Sequence, residues 1–312
     1  MTLETRRARK ESEKKNMQQR ARPDRTLPPL RPEREHAPEL TGEIGDVARP
    51  LTFFERLADM TLARRLLVLA VLAAAWEIYA RILDNPLLFP SLSDTLAAFW
   101  DAAAHGVLID RTLTSLRVLG MGYAIGLAAA AAFTTLAVST RVGTDFLSTL
   151  TAMFNPLPAI ALLPLALLWF GLGAMSLVFV IVHSVLWAVA LNTHSGFLSV
   201  SPTLRMAGQN CGLSGLSYVV RLLVPAAFPS ILTGLKIGWA FAWRTLIAAE
   251  LVFGASSRSG GLGWFIFENR NQLETASVFA GLLTVILIGL FVESVIFRAI
   301  ENVTVRKWGM QS

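Results

Sequence analysis

The chain has 312 residues, of which 54% are hydrophobic and only 16% are charged. An ordinary globular domain carries about 25% charged residues, so this composition argues against a soluble globular protein and indicates an integral membrane protein. About half of the charged side chains lie in the first 65 residues, so a charged tail precedes an apolar body.

Several classes of site are excluded by what the sequence lacks. A single cysteine, Cys211, cannot build an internal disulfide framework or a CxxC metal site. No His, Cys and carboxylate spacing matches a metal site, and no P-loop, GxSxG or dinucleotide-binding pattern is found. We therefore predict no catalytic residue and no metal ligand. The net charge of +6 comes from basic residues in the tail and beside apolar runs, where they set membrane orientation rather than bind nucleic acid.

The first 60 residues form the charged tail. They are rich in Arg, Glu, Pro and Gln without a sustained apolar period, so we expect disorder there. Residues 61–312 are then the membrane domain.

Six segments can cross a hydrocarbon core, which takes about 20 apolar residues in a helix. The predicted spans are Leu66–Leu83, Leu119–Val138, Phe146–Phe170, Met175–Phe197, Ile231–Phe253 and Val278–Phe297. The third contains Pro156, Pro158 and Pro164. Such prolines are tolerated in a membrane where neighbouring helices or a water-lined cavity satisfy the freed carbonyl groups. The predicted fold is an all-α membrane protein with six transmembrane helices.

Basic residues predict the orientation of these spans. With a cytoplasmic N-terminus, the outer loops 84–117 and 254–277 hold six acidic and four basic residues. The inner segments hold, besides the tail, Arg141, Arg205, Arg221, Arg306 and Lys307. This bias places both ends of the chain in the cytoplasm, together with the segment 199–230 between the fourth and fifth spans.

The stretch SPTLRMAGQNCGLSGLSYVVRLLVPAAFPS, Ser201–Ser230, is polar for this chain and carries helix signals. We expect Ser201 to cap a short helix with Pro202 in its first position, and Gly212 to end it in the left-handed conformation. Ser214 is expected to cap a second helix that ends at the prolines of VPAAFP. Its predicted apolar face consists of Leu216, Val219, Val220 and Leu223. By the residues alone, the element is either a helix–turn–helix with its own role or a well-capped connector.

This stretch resembles the cytoplasmic coupling loop of bacterial ABC importer permeases, whose motif reads EAA, three residues, a glycine and a later I-x-L-P. Met206, Ala207 and Gly208 occupy the EAA positions, Gly212 the glycine, and Pro225 the proline. Met206 and Gly208 depart from the motif. FPSLSDTLAAF, LTSLRVLGMGYAIG, NPLPAIALLPLALLWFGLG, TGLKIGWAFAWRTLIAAEL and VRKW are similar to the nitrate, sulfonate, taurine and bicarbonate branch, so the resemblance covers about residues 60–310.

The resemblance implies a permease of the type I importer kind in the bacterial inner membrane. Two copies, as a homodimer, are then expected to form the pore, two ATP-binding subunits to dock on the coupling loops, and a periplasmic binding protein to deliver the substrate. This chain binds no cofactor on that interpretation and is not an enzyme, because ATP is hydrolysed in the partner subunit. The implied substrate is a small anion, such as an aliphatic sulfonate, taurine or nitrate.

Within the loop, the expected roles differ by residue. Gly212 is expected to allow a close backbone approach and Pro225 to set the shape of the element. Arg205 and Arg221 are candidate contacts with the ATPase, with a purely solvated position as the open alternative for each. Because Met206 replaces the acidic residue of the motif, docking is expected to depend on shape more than on charge.

Charged residues inside the spans are candidates for the translocation path, together with Pro156, Pro158 and Pro164, because burying charge in lipid is costly. Arg244 either attracts an anion in transit, pairs structurally with Glu77 or Glu293, or snorkels toward the membrane interface. Glu250 either lines the path or makes an inter-helical hydrogen bond. The alternative function is a secondary transporter driven by an ion gradient, which the lack of a visible inverted repeat and of paired acids disfavours.

Overall fold

The computed structural model describes residues 61–138, 140–253 and 260–307, and every regular element in these ranges is helical. The predicted disordered tail, residues 1–60, lies outside them. In chain order the α-helices are α1 (Thr61–Leu83), α2 (Leu92–Ala104), α3 (Val107–Val138), α4 (Arg141–Phe154), α5 (Leu163–Phe170), α6 (Ala174–Ser199), α7 (Pro202–Asn210), α8 (Gly215–Tyr218), α9 (Val224–Ala226), α10 (Phe228–Phe253), α11 (Leu262–Asn271), α12 (Thr275–Phe291) and α13 (Arg298–Glu301). A 3-10 turn spans Ala159–Leu162, and π-helical turns span Val219–Leu223, Val292–Phe297 and Asn302–Arg306.

In the described ranges, four helices are long and apolar enough to cross a membrane. They are α1, α3, α6 and the run from α12 to Val305. Two sharply bent helix pairs raise the number to six if each pair is one span. The multi-pass, all-helical architecture is thus confirmed, while the count of six spans stays a prediction.

Prolines break the third predicted span. Helix α4 ends at Phe154, and the helix that resumes at Ala159 is bent by 87° from it. Pro156 and Pro158, between the two, donate no N–H and disfavour helical geometry in the residues before them. Pro164 lies in the first turn of α5, where the missing N–H is not needed. The segment Phe146–Phe170 is therefore a broken helix rather than a continuous one.

Helix α6 is the centre of the bundle: 61% of its most apolar stretch is buried, against 6% for α1. It packs most extensively against α3 and α10. Both neighbours present a pair of glycines four residues apart. A methyl group on Gly122 of α3 would lie 2.7 Å from Ile181 Cβ, and one on Gly126 would lie 2.7 Å from Val185 Cβ. Small residues at this spacing let helix backbones approach closely within a membrane.

The opposite side of α6 packs in the same way. On α10, a methyl group added to Gly234 would lie 2.8 Å from Asn192 Cβ, and one added to Gly238 would lie 3.0 Å from Val189 Cγ2. Because both interfaces are this close, α6 is held between α3 and α10 with little room to shift. Any cavity lined by α6 and α10 is therefore bounded by two helices that pack closely on each other.

Helix α1 attaches to the bundle mainly through its C-terminal half. Trp76 Nε1 donates to Pro90 O at 3.0 Å, and its ring packs against Phe89 and Phe279. Glu77 accepts from Ser93 N at 3.1 Å and forms an ion pair with Arg81 at 2.7 Å. These contacts tie α1 to α2 and α12.

The C-terminal turns fold back onto α10. Lys236 Nζ lies 2.6 Å from Glu301 Oε2, and an apolar cluster joins the same elements. Its buried members are Leu232, Val292, Phe297 and Val305. The turns around Glu301 and Val305 are thereby fastened beside the start of α10.

Candidate functional site

The loop between α6 and α10 begins with the predicted capped helix. Ser201 Oγ accepts from Leu204 N at 3.4 Å, and Pro202 is the first residue of α7. At the other end Gly212 has φ of +78°. Gly212 N donates to Gln209 O at 2.9 Å, and the next residue donates from its N–H to Gly208 O at 3.0 Å. This is a Schellman motif, so the predicted cap and C-terminal glycine are both confirmed.

The expected role of Gly212 in a close approach is wrong. A methyl group added there would meet no atom of the described residues within 4 Å, so this residue matters for its left-handed backbone. The close approach is instead at Gly208, which is buried and where a methyl group would overlap Leu222 Cδ1. Gly208 stands at a position where the family motif has alanine, and the space freed by that change is occupied by Leu222.

The second helix of the loop differs from the prediction. Ser214 is in the N-cap position but makes no side-chain capping bond, and α8 passes after one turn into the π-helical turn Val219–Leu223. A π turn holds more residues than an α turn and rotates the following side chains out of α-helical register. Leu216, which precedes the π turn, is 67% exposed, and Val220 is 55% exposed. The buried face consists of Val219, Leu222 and Leu223.

This buried face joins the loop to the ends of the long helices. It packs in one apolar cluster with Phe197 and Val200 of the α6 end, and with Ala227 at the start of α10. Beyond Pro225 in α9, the chain bends by 80° into α10. Pro229 lies in the first turn of α10 rather than at the end of the preceding helix.

The two arginines of the loop are placed differently. Arg205 Nε donates to Val200 O at 3.1 Å, and its Nη2 donates to Phe197 O. The guanidinium of Arg205 thus caps the C-terminal carbonyls of α6 rather than standing free. Arg221 is exposed and forms no ion pair with the residues that the structure describes. Met206 is 57% exposed.

A cavity of about 360 Å³ lies where the broken helix faces α6 and α10. Pro156 and Pro158 line it, and so does Arg244. The polar side chains beside them are Asn155, His183, Ser184, Trp187 and Thr245. The structure therefore brings three of the five path candidates together, and Pro164 and Glu250 are not among the residues around this cavity.

Arg244 lines this cavity and is not paired with any carboxylate among the described residues. Its Nε donates to Ala240 O at 3.1 Å, and the guanidinium carbon lies 5.5 Å from the centre of the Phe241 ring. It forms an ion pair with neither Glu77 nor Glu293. It also borders a second cavity of about 600 Å³, which Glu293 shares. The structural-pair interpretation of Arg244 is therefore wrong.

Glu250 is buried, with 4% of its surface exposed, and is closed into a hydrogen-bonded cluster. Ser115 Oγ lies 2.8 Å from Glu250 Oε1 and also accepts from Leu262 N at 2.7 Å. Gly263 N donates to Glu250 Oε2 at 2.7 Å. The cluster fastens the first turn of α11 to α3 and α10. The inter-helical hydrogen bond is thus the role that the structure supports, and the placement of Glu250 on the path is corrected.

The partners of Glu250, Ser115 and the glycines of the GGLG run at 260–263, were not among the predicted site residues. A methyl group on Gly263 would lie 2.6 Å from Glu250 Cβ. The available signal was a carboxylate in an apolar segment followed closely by Gly-Leu-Gly, whose backbone N–H groups are unobstructed donors. The glycine pairs of α3 and α10 were missed as well, although GMGYAIG and GLKIG display their four-residue spacing.

Comparison with known proteins supplies the family. The profile of the family described as "Binding-protein-dependent transport system inner membrane component" matches residues 118–301. A Methanocaldococcus jannaschii protein named as an ABC transporter permease is 31% identical, over 72% of this chain and 84% of its own length. The taurine transport system permease protein of Escherichia coli is 30% identical, over 72% and 82%. An E. coli protein named as an aliphatic sulfonates transport permease is 28% identical, over 70% and 82%.

Proposed function

Because this chain belongs to the family of binding-protein-dependent transport system inner membrane components, we propose that it is the permease subunit of an ATP-driven importer for a small anion. The substrate class is an aliphatic sulfonate, taurine or nitrate, delivered by a periplasmic binding protein. Two of the relatives carry names that refer to taurine and aliphatic sulfonates. The chain is a multi-pass transport protein, and ATP hydrolysis is assigned to a separate subunit.

The observation that carries this proposal is the build of the loop Ser201–Ser230. A capped helix, a Schellman turn and a buried apolar face make it a rigid body rather than a flexible connector. Its outward side presents apolar side chains, among them Met206, Leu216 and Val220. Exposed apolar side chains on a rigid loop are suited to a protein partner, and they fit docking of an ATP-binding subunit by shape rather than by charge.

The loop is also connected to the cavity through the helices on either side of it. Helix α6, whose end is clamped by Arg205, carries His183 and Trp187, and α10, which follows the loop, carries Arg244. A displacement of the loop by an ATPase would therefore move two walls of the cavity together. This supports a mechanism in which ATP binding outside the membrane domain changes the access of the cavity.

The remaining features of the proposal concern assembly and topology. We assign both ends of the chain and the loop to the cytoplasmic side of a bacterial inner membrane, since the basic residues favour that orientation. Two copies of the chain, as a homodimer, would form the pore, with two ATP-binding subunits on the loops. Of the described residues that line the cavity of about 360 Å³, only Arg244 is Arg or Lys. Its positive charge suits an anion in transit.

Reconstitution tests the function directly. The chain is placed in proteoliposomes with its ATP-binding subunit, the binding protein is added outside, and uptake of radiolabelled taurine or an alkanesulfonate is measured. We expect uptake only with ATP inside the vesicles and binding protein outside. Uptake by the chain alone, driven by a sodium or proton gradient, would instead establish the secondary transporter. A preparation lacking only ATP is the matched control.

A further inference from the structure

We propose that a second copy of this chain packs against the face formed by α10 and the π-helical turn Val292–Phe297, and that Arg244 there forms an ion pair with Glu293 of the partner subunit. A two-fold symmetric dimer makes this contact twice, because each copy carries both residues. The inference rests on the two-copy pore of the proposed function, and it identifies the surface through which the copies meet.

The first support is the position of two opposite charges in apolar segments. Arg244 lies in α10, and Glu293 lies within the long apolar run Thr275–Val305. Both side chains are exposed, and both line the cavity of about 600 Å³. A charged side chain that faces lipid is costly, so charged residues in spans almost always face protein or water and pair with one another. This face is therefore not a lipid-facing surface.

The second support is that one copy leaves these two charges without an ion pair. Neither Arg244 nor Glu293 forms one with any residue that the structure describes, although the two share a cavity. Lys236 lines the same cavity and differs from them, because its Nζ lies 2.6 Å from Glu301 Oε2. The face of one copy thus presents one unpaired positive charge and one unpaired negative charge.

A second copy is the partner that this charge pattern fits. A surface with one unpaired arginine and one unpaired glutamate is complementary to itself, because a two-fold interface brings each residue against the other residue of the partner. A two-fold axis along the membrane normal also keeps every residue at its own depth. Since Arg244 and Glu293 line one cavity, their depths are similar. Each can therefore meet the other across the interface.

The surroundings of the charges leave room for a neighbouring helix. Ala240 and Gly289 line the same cavity, and small residues let helices approach closely within a membrane. The nearest atom that a methyl group on Gly289 would meet is Trp243 Nε1, at 3.8 Å. The packing of one copy therefore does not require a glycine at this position. A guanidinium has five N–H donors, so the pair leaves donors of Arg244 for an anion in the cavity of about 360 Å³.

Self-association of the full chain tests the interface. The chain is labelled with a donor or an acceptor dye at its single cysteine, the exposed Cys211. Energy transfer is then measured in lipid vesicles as the chain is diluted with lipid. We expect Arg244→Glu and Glu293→Arg each to weaken self-association at least tenfold, because each change places like charges opposite one another. Unchanged association of either variant would overturn the interface, as would an unmodified chain that stays monomeric.

A mixture of the two variants distinguishes a contact between copies from a contact within one copy. With the donor on Arg244→Glu and the acceptor on Glu293→Arg, a mixed dimer has opposite charges at both contacts. We expect the mixture to associate at least tenfold more tightly than either variant alone. A pair formed within one copy would stay broken in both chains, so a mixture that associates no more tightly than the single variants would rule out the pairing between copies.

Neutral variants test the same pair with milder changes. Arg244→Gln and Glu293→Gln alter exposed side chains, are expected to fold normally, and should weaken self-association about tenfold, equivalent to about 1.4 kcal/mol. Arg117→Gln is the matched control, because Arg117 is exposed, forms no ion pair with a described residue and lines neither cavity. If either neutral variant associates as tightly as this control, the ion pair is refuted.

The outcome is separable from that of the proposed function, because the association measurement contains no ATP, binding protein or substrate. ATP-driven uptake together with unaltered association of the variants would leave the importer assignment standing and remove this interface. Restored association of the mixture without ATP-driven uptake would retain the interface and remove the importer assignment.

Discussion

The packing of α3 against α6 is tested most directly at two glycines of α3 that lie two residues apart. Gly122 faces α6, where an added methyl group would lie 2.6 Å from Ile181 Cγ2 and 2.7 Å from its Cβ. Ile181 is fully buried, so it has no free space to move into. Gly120 is exposed, and a methyl group there would meet nothing within 4 Å. The same Gly→Ala change therefore probes a tight interface at one position and open surroundings at the other.

The expected magnitudes follow from two opposing effects. Replacing a helical glycine by alanine stabilises a helix by about 0.5–1 kcal/mol. Inserting a methyl group into a close-packed core costs about 1–3 kcal/mol, because carbon atoms attract best at about 3.5–4.0 Å. Both effects act on Gly122→Ala, and only the first acts on Gly120→Ala. Their difference isolates the overpacking, so we expect Gly122→Ala to be the less stable variant by about 1–3 kcal/mol.

Thermal unfolding of both variants in the same detergent measures this difference. Gly120→Ala should unfold at or slightly above the temperature of the unmodified chain, and Gly122→Ala clearly below it. Ile181→Val adds a second check. It removes only Cδ1 and leaves the two nearer atoms in place, so it should not restore the stability of Gly122→Ala. Equal stability of the two alanine variants, or full rescue by Ile181→Val, would refute the close α3–α6 packing.

Two further predictions concern the loop and the buried carboxylate. Gly212→Asn should keep the normal amount of substrate transported per ATP hydrolysed, because asparagine tolerates the left-handed conformation. Gly212→Val should lower that ratio, because a β-branched residue strains the turn. Equal ratios for the two variants in proteoliposomes would contradict the mechanical role of the turn. Glu250→Ala should lower the unfolding temperature sharply, since it leaves the Ser115 hydroxyl and Gly263 N–H unpaired at about 1–3 kcal/mol each. Asp101→Ala, which removes only the exposed contact of that carboxylate with His105, is the control, and an equally large shift in both variants would contradict the stabilising role of the Glu250 cluster.

The loop shows which features a sequence predicts well. Ser201, Pro202 and Gly212 act through bonds to residues only a few positions away, and their capping roles were predicted correctly. The π-helical turn at Val219–Leu223 was not predicted. Leu222 rather than Val220 is buried there, in one apolar cluster with Phe197 and Val200 at the end of α6.

The resemblance to known permeases identified the family, and the relatives confirm it. It did not reveal why Gly208 stands in place of alanine, since its neighbour Leu222 comes from a different helical turn of the loop. Nor did it predict that Arg244 and Glu250 have different roles. Both are charged residues in one apolar segment, and only their surroundings differ.

The break at Pro156 and Pro158 is seen only in the structure, because the sequence predicts one span over Phe146–Phe170. Local chemistry in the sequence by itself determined the membrane class, the positions of the apolar segments and the capped loop. These follow from composition and from bonds that span a few residues. Only the tertiary structure decided that Glu250 binds Ser115, 135 residues away, and that Arg244, His183 and Trp187 face one cavity beside that break. Such pairings depend on how α3, α6 and α10 pack through their glycines. The direction of a side chain on a packed helix is set by its neighbours, which the order of residues along one segment does not specify.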